Sequence, residues 1–140
     1  MKKRMFLVSH GELAEGMANA LGMLVGRADD VTAIGLMPGE SPESIAQAIE
    51  AEARNNPEDH ILILADLLGG SVSNAVTRLS GLPNVRMING MNLAAVIGLY
   101  FSDPDISDEE LNNLLADARK GLAMADPAAW QRTGSEDDIL

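Results

Sequence analysis

The feature that most constrains this chain is Ile61-Leu62-Ile63-Leu64-Ala65, an unbroken apolar run bounded by His60 and Asp66. A strand that is apolar on both faces must be covered on both faces. A parallel sheet with crossover helices achieves this by construction, whereas antiparallel hairpins usually leave one face to water. Met5-Phe6-Leu7-Val8 has the same character, and Val31 to Leu36 and Val85 to Ile88 read as two further strands. Between these runs the apolar residues recur at helical spacing. Leu13, Met17, Ala20, Leu21, Leu24 and Val25 form one stripe, stopped by Gly26, and Ile45, Ala48, Ile49 and Ala53 form another behind the Ser41-Pro42 start. A third helix is expected from about Ser73 to Ser80, and a fourth carries Leu93, Val96, Ile97 and Tyr100. The last starts at the capping box Ser107-Asp108-Glu109-Glu110 and runs through Leu111, Leu114, Leu115 and Ala118 toward Met124.

Strands alternating with helices, joined by right-handed crossovers, leave few topologies. The expectation is a doubly wound α/β domain with a mostly parallel sheet of order 2-1-3-4 and helices on both faces. A fifth, edge strand extends that order to 2-1-3-4-5. The chain has 140 residues, which suits one domain. Residues 1–125 are assigned to that domain and 126–140 to a C-terminal segment, with an edge strand at Ala128 to Arg132 and an acidic tail from Thr133 to Leu140.

Composition removes several function classes. The formal net charge is −11, and Phe6, Tyr100, Phe101 and Trp130 are the only aromatics. A surface of that charge repels phosphate backbones and offers little for bases to stack on, which argues against nucleic-acid binding. With no cysteine, disulfides, thiolate metal sites and cysteine nucleophiles are excluded. The apolar stretch behind Met1-Lys2-Lys3-Arg4 is too short for a signal peptide, and Leu93 to Phe101 is too short to span a bilayer. The expected location is the cytoplasm.

In a doubly wound sheet the ligand site lies at the carboxyl ends of strands 1 and 3. Here those positions hold Ser9-His10-Gly11 and Asp66-Leu67-Leu68-Gly69-Gly70-Ser71. The topology therefore makes neighbours of His10 and Asp66. Asp66 accepting from one ring nitrogen fixes the tautomer and frees the other nitrogen's lone pair for attack. Gly69 and Gly70 permit a tight turn with exposed amides, and Ser71 adds a hydroxyl, so the loop offers a phosphate-sized anion seat beside a histidine nucleophile. Each feature has a plainer reading. A lone histidine in such a turn is commonly a structural hydrogen-bonder, an aspartate after a strand is often an N-cap, and Gly-Gly-Ser is usually only a turn. Their convergence on the edge selected by topology favours chemistry. His60 supplies the contrast, since it precedes strand 3 at the opposite end and is expected to do none. Pro38-Gly39-Glu40, Asn89 and Asn92 also fall near the active rim.

Other chemistries lack parts. Neither a P-loop nor a dinucleotide fingerprint is present. Two histidines at opposite ends of the sheet do not make a metal site, so no metal or cofactor is expected. A receiver domain would also place an aspartate where Asp66 stands, but it needs further acids after strand 1, where Glu12 is the nearest. A Ser-His-Asp hydrolase using Ser9 or Ser71 remains an alternative, without a G-x-S-x-G elbow.

Taken in order, Val8-Ser9-His10-Gly11 with Ala14-Glu15, Pro38-Gly39-Glu40, Asp66 with Gly69-Gly70-Ser71, Asn74-Ala75, and Gly90-Met91-Asn92-Leu93 form a pattern. Over roughly residues 4 to 125 the chain resembles the IIA component of the mannose-family phosphoenolpyruvate-dependent sugar phosphotransferase system (PTS). The resemblance implies a phosphocarrier in which His10 takes a phosphoryl group from phosphohistidine on HPr and gives it to a IIB component. Sugar is then phosphorylated during transport through the membrane components IIC and IID. It also implies a homodimer that exchanges its last strand, for which Ala128 to Arg132 is the candidate. The chain departs from the family pattern at Val72 and Ala94, where proline is common in members.

Overall fold

The computed structural model describes residues 1–128. Four strands, β1 (Lys3–His10), β2 (Val31–Leu36), β3 (His60–Ala65) and β4 (Val85–Asn89), form one sheet. The order is β2-β1-β3-β4 and every pairing is parallel, as the apolar runs predict. The central strands are the two that read as apolar throughout. From Met5 to Ser9 and from Ile61 to Ala65 every residue is buried, whereas the edge strands β2 and β4 carry half-buried and exposed positions.

Strand periodicity of two divides the core into two layers. Phe6, Val8, Ile61, Ile63 and Ala65 point to one face. They pack against Ile45, Ala46, Ile49 and Ala53 of α2 (Pro42–Asn55) and Val72 and Val76 of α3 (Ser71–Thr77). Met5, Leu7, Leu62 and Leu64 point to the other. There they meet Ala14 and Leu21 of α1 (Leu13–Val25), Val96 and Leu99 of α4 (Leu93–Phe101), and Leu111 of α5 (Asp108–Arg119).

Helix starts follow the sequence signals. Ser41 Oγ accepts from the Glu43 amide and Ser107 Oγ from the Glu110 amide, each filling an orphan donor of the first turn. Gly26 closes α1 at φ +83°, a conformation that favours glycine. Two boundaries differ from expectation. The third helix begins at Ser71 rather than Ser73 and tightens into a 3₁₀ turn over Arg78–Gly81, because the chain must turn back at once into β4. α5 ends at Arg119 rather than continuing toward Met124. The amides of Lys120, Gly121 and Leu122 bond three residues back, and Leu122 and Met124 lie exposed with nothing apolar to extend against. The expected edge strand lies outside the described residues except for Ala128, whose amide donates to Asp126 Oδ1 at 3.0 Å.

Candidate functional site

The carboxyl ends of β1 and β3 bring His10 and Asp66 together as the topology predicts. The Asp66 amide donates to the Val8 carbonyl at 3.1 Å, continuing the ladder one step and seating the carboxylate beside the end of β1. Asp66 Oδ2 then accepts twice from His10, from its amide at 2.8 Å and from ring Nδ1 at 2.9 Å. The aspartate is thus bonded to the histidine's backbone and ring at once, which fixes both position and orientation. The His10 side chain remains 47% exposed while that of Asp66 is only 8% exposed. Burial by itself would push the Asp66 carboxyl up. The hydrogen bonds from the His10 amide and ring outweigh that and hold it below the ordinary carboxylate value. Asp66 Oδ1 is buried with no hydrogen-bond partner among the described residues, so His10 is the main compensation for this charge.

With Nδ1 engaged as donor, the lone pair on Nε2 is free, and it points toward Ser71 Oγ at 3.1 Å. The glycine loop makes this approach feasible. Gly69 adopts φ +85°, and a Cβ on Gly70 would sit 3.3 Å from His10 Cε1 and 3.2 Å from the Leu67 carbonyl. Asn74 braces the loop from behind, its Nδ2 donating to the Gly69 carbonyl at 3.2 Å. The Gly70 amide is spent on the Leu67 carbonyl, whereas the first-turn amides of α3 beyond it have no acceptor within the helix.

The other singled-out residues separate by role. Ser9 is buried and its Oγ accepts from the Ala14 amide, so it shapes the turn. His60 lies at the opposite end of the sheet, its Nε2 beside the Met1 sulfur. Pro38-Gly39-Glu40 is a turn on the rim, closed by Glu40 Oε1 accepting from the Met37 amide. Asn92 caps α4 and ties it to α5, accepting from Ala95 and donating to the Ala118 carbonyl. Asn89 ends β4 and accepts from Ser73 Oγ at 2.5 Å. Val72 is wholly buried in the α2–α3 layer, and Ala94 is exposed on α4. Sequence reasoning missed Asn74 and Ser9 as supports, since neither side chain reveals its partner without the turn geometry.

Ser71, His10 and Asp66 form a hydrogen-bonded row, the connectivity of a hydrolase triad, so geometry alone leaves two chemistries open. Comparison with known proteins separates them. Residues 4–117 match the family model EIIA-man, described as the PTS system fructose IIA component. The chain is 30% identical over 104 residues to the sorbose-specific PTS EIIA component of Klebsiella pneumoniae, covering 74% of this chain and 76% of that protein. It is also 30% identical over 118 residues to the mannose-specific EIIAB component of Escherichia coli, covering 81% of this chain and 36% of that longer protein. Among solved structures, the mannose/sorbose-specific IIA subunit of Enterococcus faecalis superposes with a TM-score of 0.78 at 27% identity, covering 90% of this chain and 96% of that one. A PTS IIA protein associated with a fucose utilization operon in Streptococcus pneumoniae superposes with a TM-score of 0.75 at 26% identity, covering 89% and 93%. Neither a hydrolase nor a receiver reading is favoured by these matches. Matched by family model, sequence and structure alike, the chain belongs to the mannose-type PTS IIA family, a component of the sugar phosphotransferase system.

Proposed function

We propose that His10 is the phosphoryl-carrying residue, accepting the group on Nε2 from phosphohistidine of HPr and passing it to a IIB component. The observation that carries this reading is the division of the ring's two nitrogens. Nδ1 is held as donor by Asp66, while Nε2 faces the Ser71 hydroxyl at an exposed rim. In the forward step the Nε2 lone pair attacks phosphorus in line, and the N–P bond of the donor histidine breaks as the new one forms. The Nδ1 proton stays in the hydrogen bond to Asp66, whose charge offsets the positive charge gained by the ring. The Ser71 hydroxyl turns from Nε2 to a phosphoryl oxygen, and the loop from Gly69 onward with the first-turn amides of α3 receives the others. Proteins exchange this group by docking, and the rim suits a protein partner. Leu13, Met37, Leu67 and Leu68 are all exposed on the segments that follow β1, β2 and β3. Transfer onward to sugar runs through the membrane components IIC and IID, and no helix among the described residues is long and apolar enough to cross a membrane.

The same reading makes residues 1–125 the mannose-type IIA domain, 126–140 a C-terminal segment, and the protein a homodimer in the cytoplasm. The outer edge of β4, unpaired among the described residues, would receive the exchanged strand.

Incubation with phosphoenolpyruvate, enzyme I and HPr should add one acid-labile, base-stable phosphoryl group. His10→Ala should abolish it and His60→Ala should leave it intact. Labelling that survives loss of His10 overturns the proposal. A base-labile acyl phosphate on Asp66 would favour a receiver, and ester hydrolysis lost in Ser71→Ala would favour a hydrolase.

A further inference from the structure

Gly35, next to last in the edge strand β2, has no place in the phosphoryl chemistry, yet the turn behind His10 is built on it. In the β1–β2 register Gly35 lies opposite Ser9, and Leu36 opposite His10. A Cβ on Gly35 would overlap the Gly11 carbonyl oxygen and lie 3.1 Å from its carbonyl carbon. The turn thus folds down onto β2 at the one point where a side chain is missing. Two hydrogen bonds hold it there. The Gly11 amide donates to the Leu36 carbonyl at 2.8 Å, and Ser9 Oγ, itself wholly buried, accepts from the Ala14 amide at 2.8 Å. Ser9 Oγ also lies 3.4 Å from the Gly11 carbonyl oxygen, the same atom that occupies the space above Gly35. Gly11 takes φ +56°, a left-handed conformation that glycine adopts without the steric cost of a Cβ.

His10 sits between these anchors, and its amide and ring must both reach Asp66 Oδ2. We infer that Gly35 and Ser9 are positioning residues for His10, acting through the Gly11 turn and touching none of the reacting atoms. A side chain at Gly35 would lift the Gly11 carbonyl by roughly 1 Å to restore van der Waals contact. A reacting group displaced on that scale can lose about 100-fold in rate. The inference rests on the proposed phosphocarrier reading for its kinetic consequence, though not for its geometric one.

The test compares full-length parent, Gly35→Ala, Ser9→Ala and Thr32→Ala, the last an exposed change on the same strand. Three properties are measured: the hydrogen-bonded Nδ1 proton of His10 by NMR, the rate of phosphoryl transfer from phospho-HPr, and the urea midpoint. Gly35→Ala should lose or shift the ring-proton signal in protein that remains folded. Its kcat should fall roughly 10- to 100-fold while KM for phospho-HPr stays within about two-fold. Ser9→Ala should move both readouts in the same direction, and it carries the test if Gly35→Ala fails to fold. Thr32→Ala should match the parent. An unchanged ring signal and parent rate in folded Gly35→Ala or Ser9→Ala overturns the inference, as does a rate loss that follows only the unfolded fraction. A parent that takes up no phosphoryl group sinks the carrier reading instead, while the ring signal still decides whether Gly35 and Ser9 position His10.

Discussion

Asp66 is under two opposed influences, burial that favours the neutral acid and hydrogen bonds from His10 that favour the carboxylate, and the second prevails. The charged form is therefore the one presented to the ring. Asp66→Asn keeps the shape, removes the charge, and offers an amide that can present either its oxygen or its NH₂ to Nδ1. Losing a charged hydrogen bond of about 1.5–3 kcal/mol should slow phosphorylation of His10 roughly 10- to 150-fold, read as an initial rate with phospho-HPr. Ser71→Ala removes only a neutral hydroxyl. The expected loss is about 2- to 10-fold, from roughly 0.5–1.5 kcal/mol. The order of these two effects separates a phosphocarrier from a serine hydrolase, in which loss of the nucleophile would be the graver lesion. The Asp66 charge was legible in the sequence as a carboxylate after a strand. That one oxygen serves two donors of His10 while the other has no partner among the described residues was not, because it depends on how far β1 and β3 run past their last pairing.

At the scale of elements, the segment from the β3–α3 loop into the first turn of α3 packs inward at one end and is exposed at the other, where the proposed partner would dock. Val72, at the start of α3, enters the core, whereas Leu67 and Leu68 stand exposed on the rim. Leu68→Asp should leave the unfolding free energy from urea denaturation within about 0.5 kcal/mol of the parent, as exposed substitutions generally do. It should also raise KM for phospho-HPr, because a charge without a partner would then sit in the docked interface. A second element junction is held by Lys3, whose Nζ leaves the start of β1 to donate to the carbonyls of Leu99, Tyr100 and Ser102 at 2.6, 2.8 and 2.5 Å. These include the last carbonyls of α4, which have no partner within the helix. Burial lowers the Lys3 pKa, partly offset by Asp103. Lys3→Met should cost about 1–3 kcal/mol in urea denaturation, because the Tyr100 and Ser102 carbonyls lose this donor, whereas that of Leu99 keeps the Ser102 amide and hydroxyl. In the sequence Lys3 looked like part of a basic N-terminus. Only the packing of α4 across the start of the sheet gave it a structural role.

For the whole molecule, acid is the expected route to unfolding. Hydrogen bonding to Arg4 lowers the Asp59 carboxyl, and hydrogen bonds from Arg78 and Arg54 lower that of Glu50. Asp66 joins them with a net lowering. A carboxyl whose folded pKa lies below its unfolded value contributes stability that is fully present above the unfolded pKa. That contribution is lost as pH falls through the folded value. Unfolding free energy should thus be level with respect to these groups near neutral pH and fall as pH drops below about 4. Asp59→Asn should flatten the fall, which denaturation curves at several acidic pH values would register. The −11 charge matters in a different way, since it sets solubility and association rather than the fold. The proposed homodimer is tested by sedimentation of the full chain, where a monomer at micromolar concentration would exclude it.

What the sequence by itself determined is the layered α/β plan and the rim on which chemistry can occur. Fully apolar strands demand cover on both faces, and parallel connections then place His10 and Asp66 at one edge. It also marked most helix starts, because caps are local and need only neighbouring residues. The tertiary structure alone decided which ring nitrogen is free, how Ser71 meets it, where α3 and α5 end, and that Gly35 leaves room for the Gly11 carbonyl. These depend on contacts between residues as distant as Gly11 and Gly35, or His10 and Ser71, and no local pattern in the chain encodes such close packing.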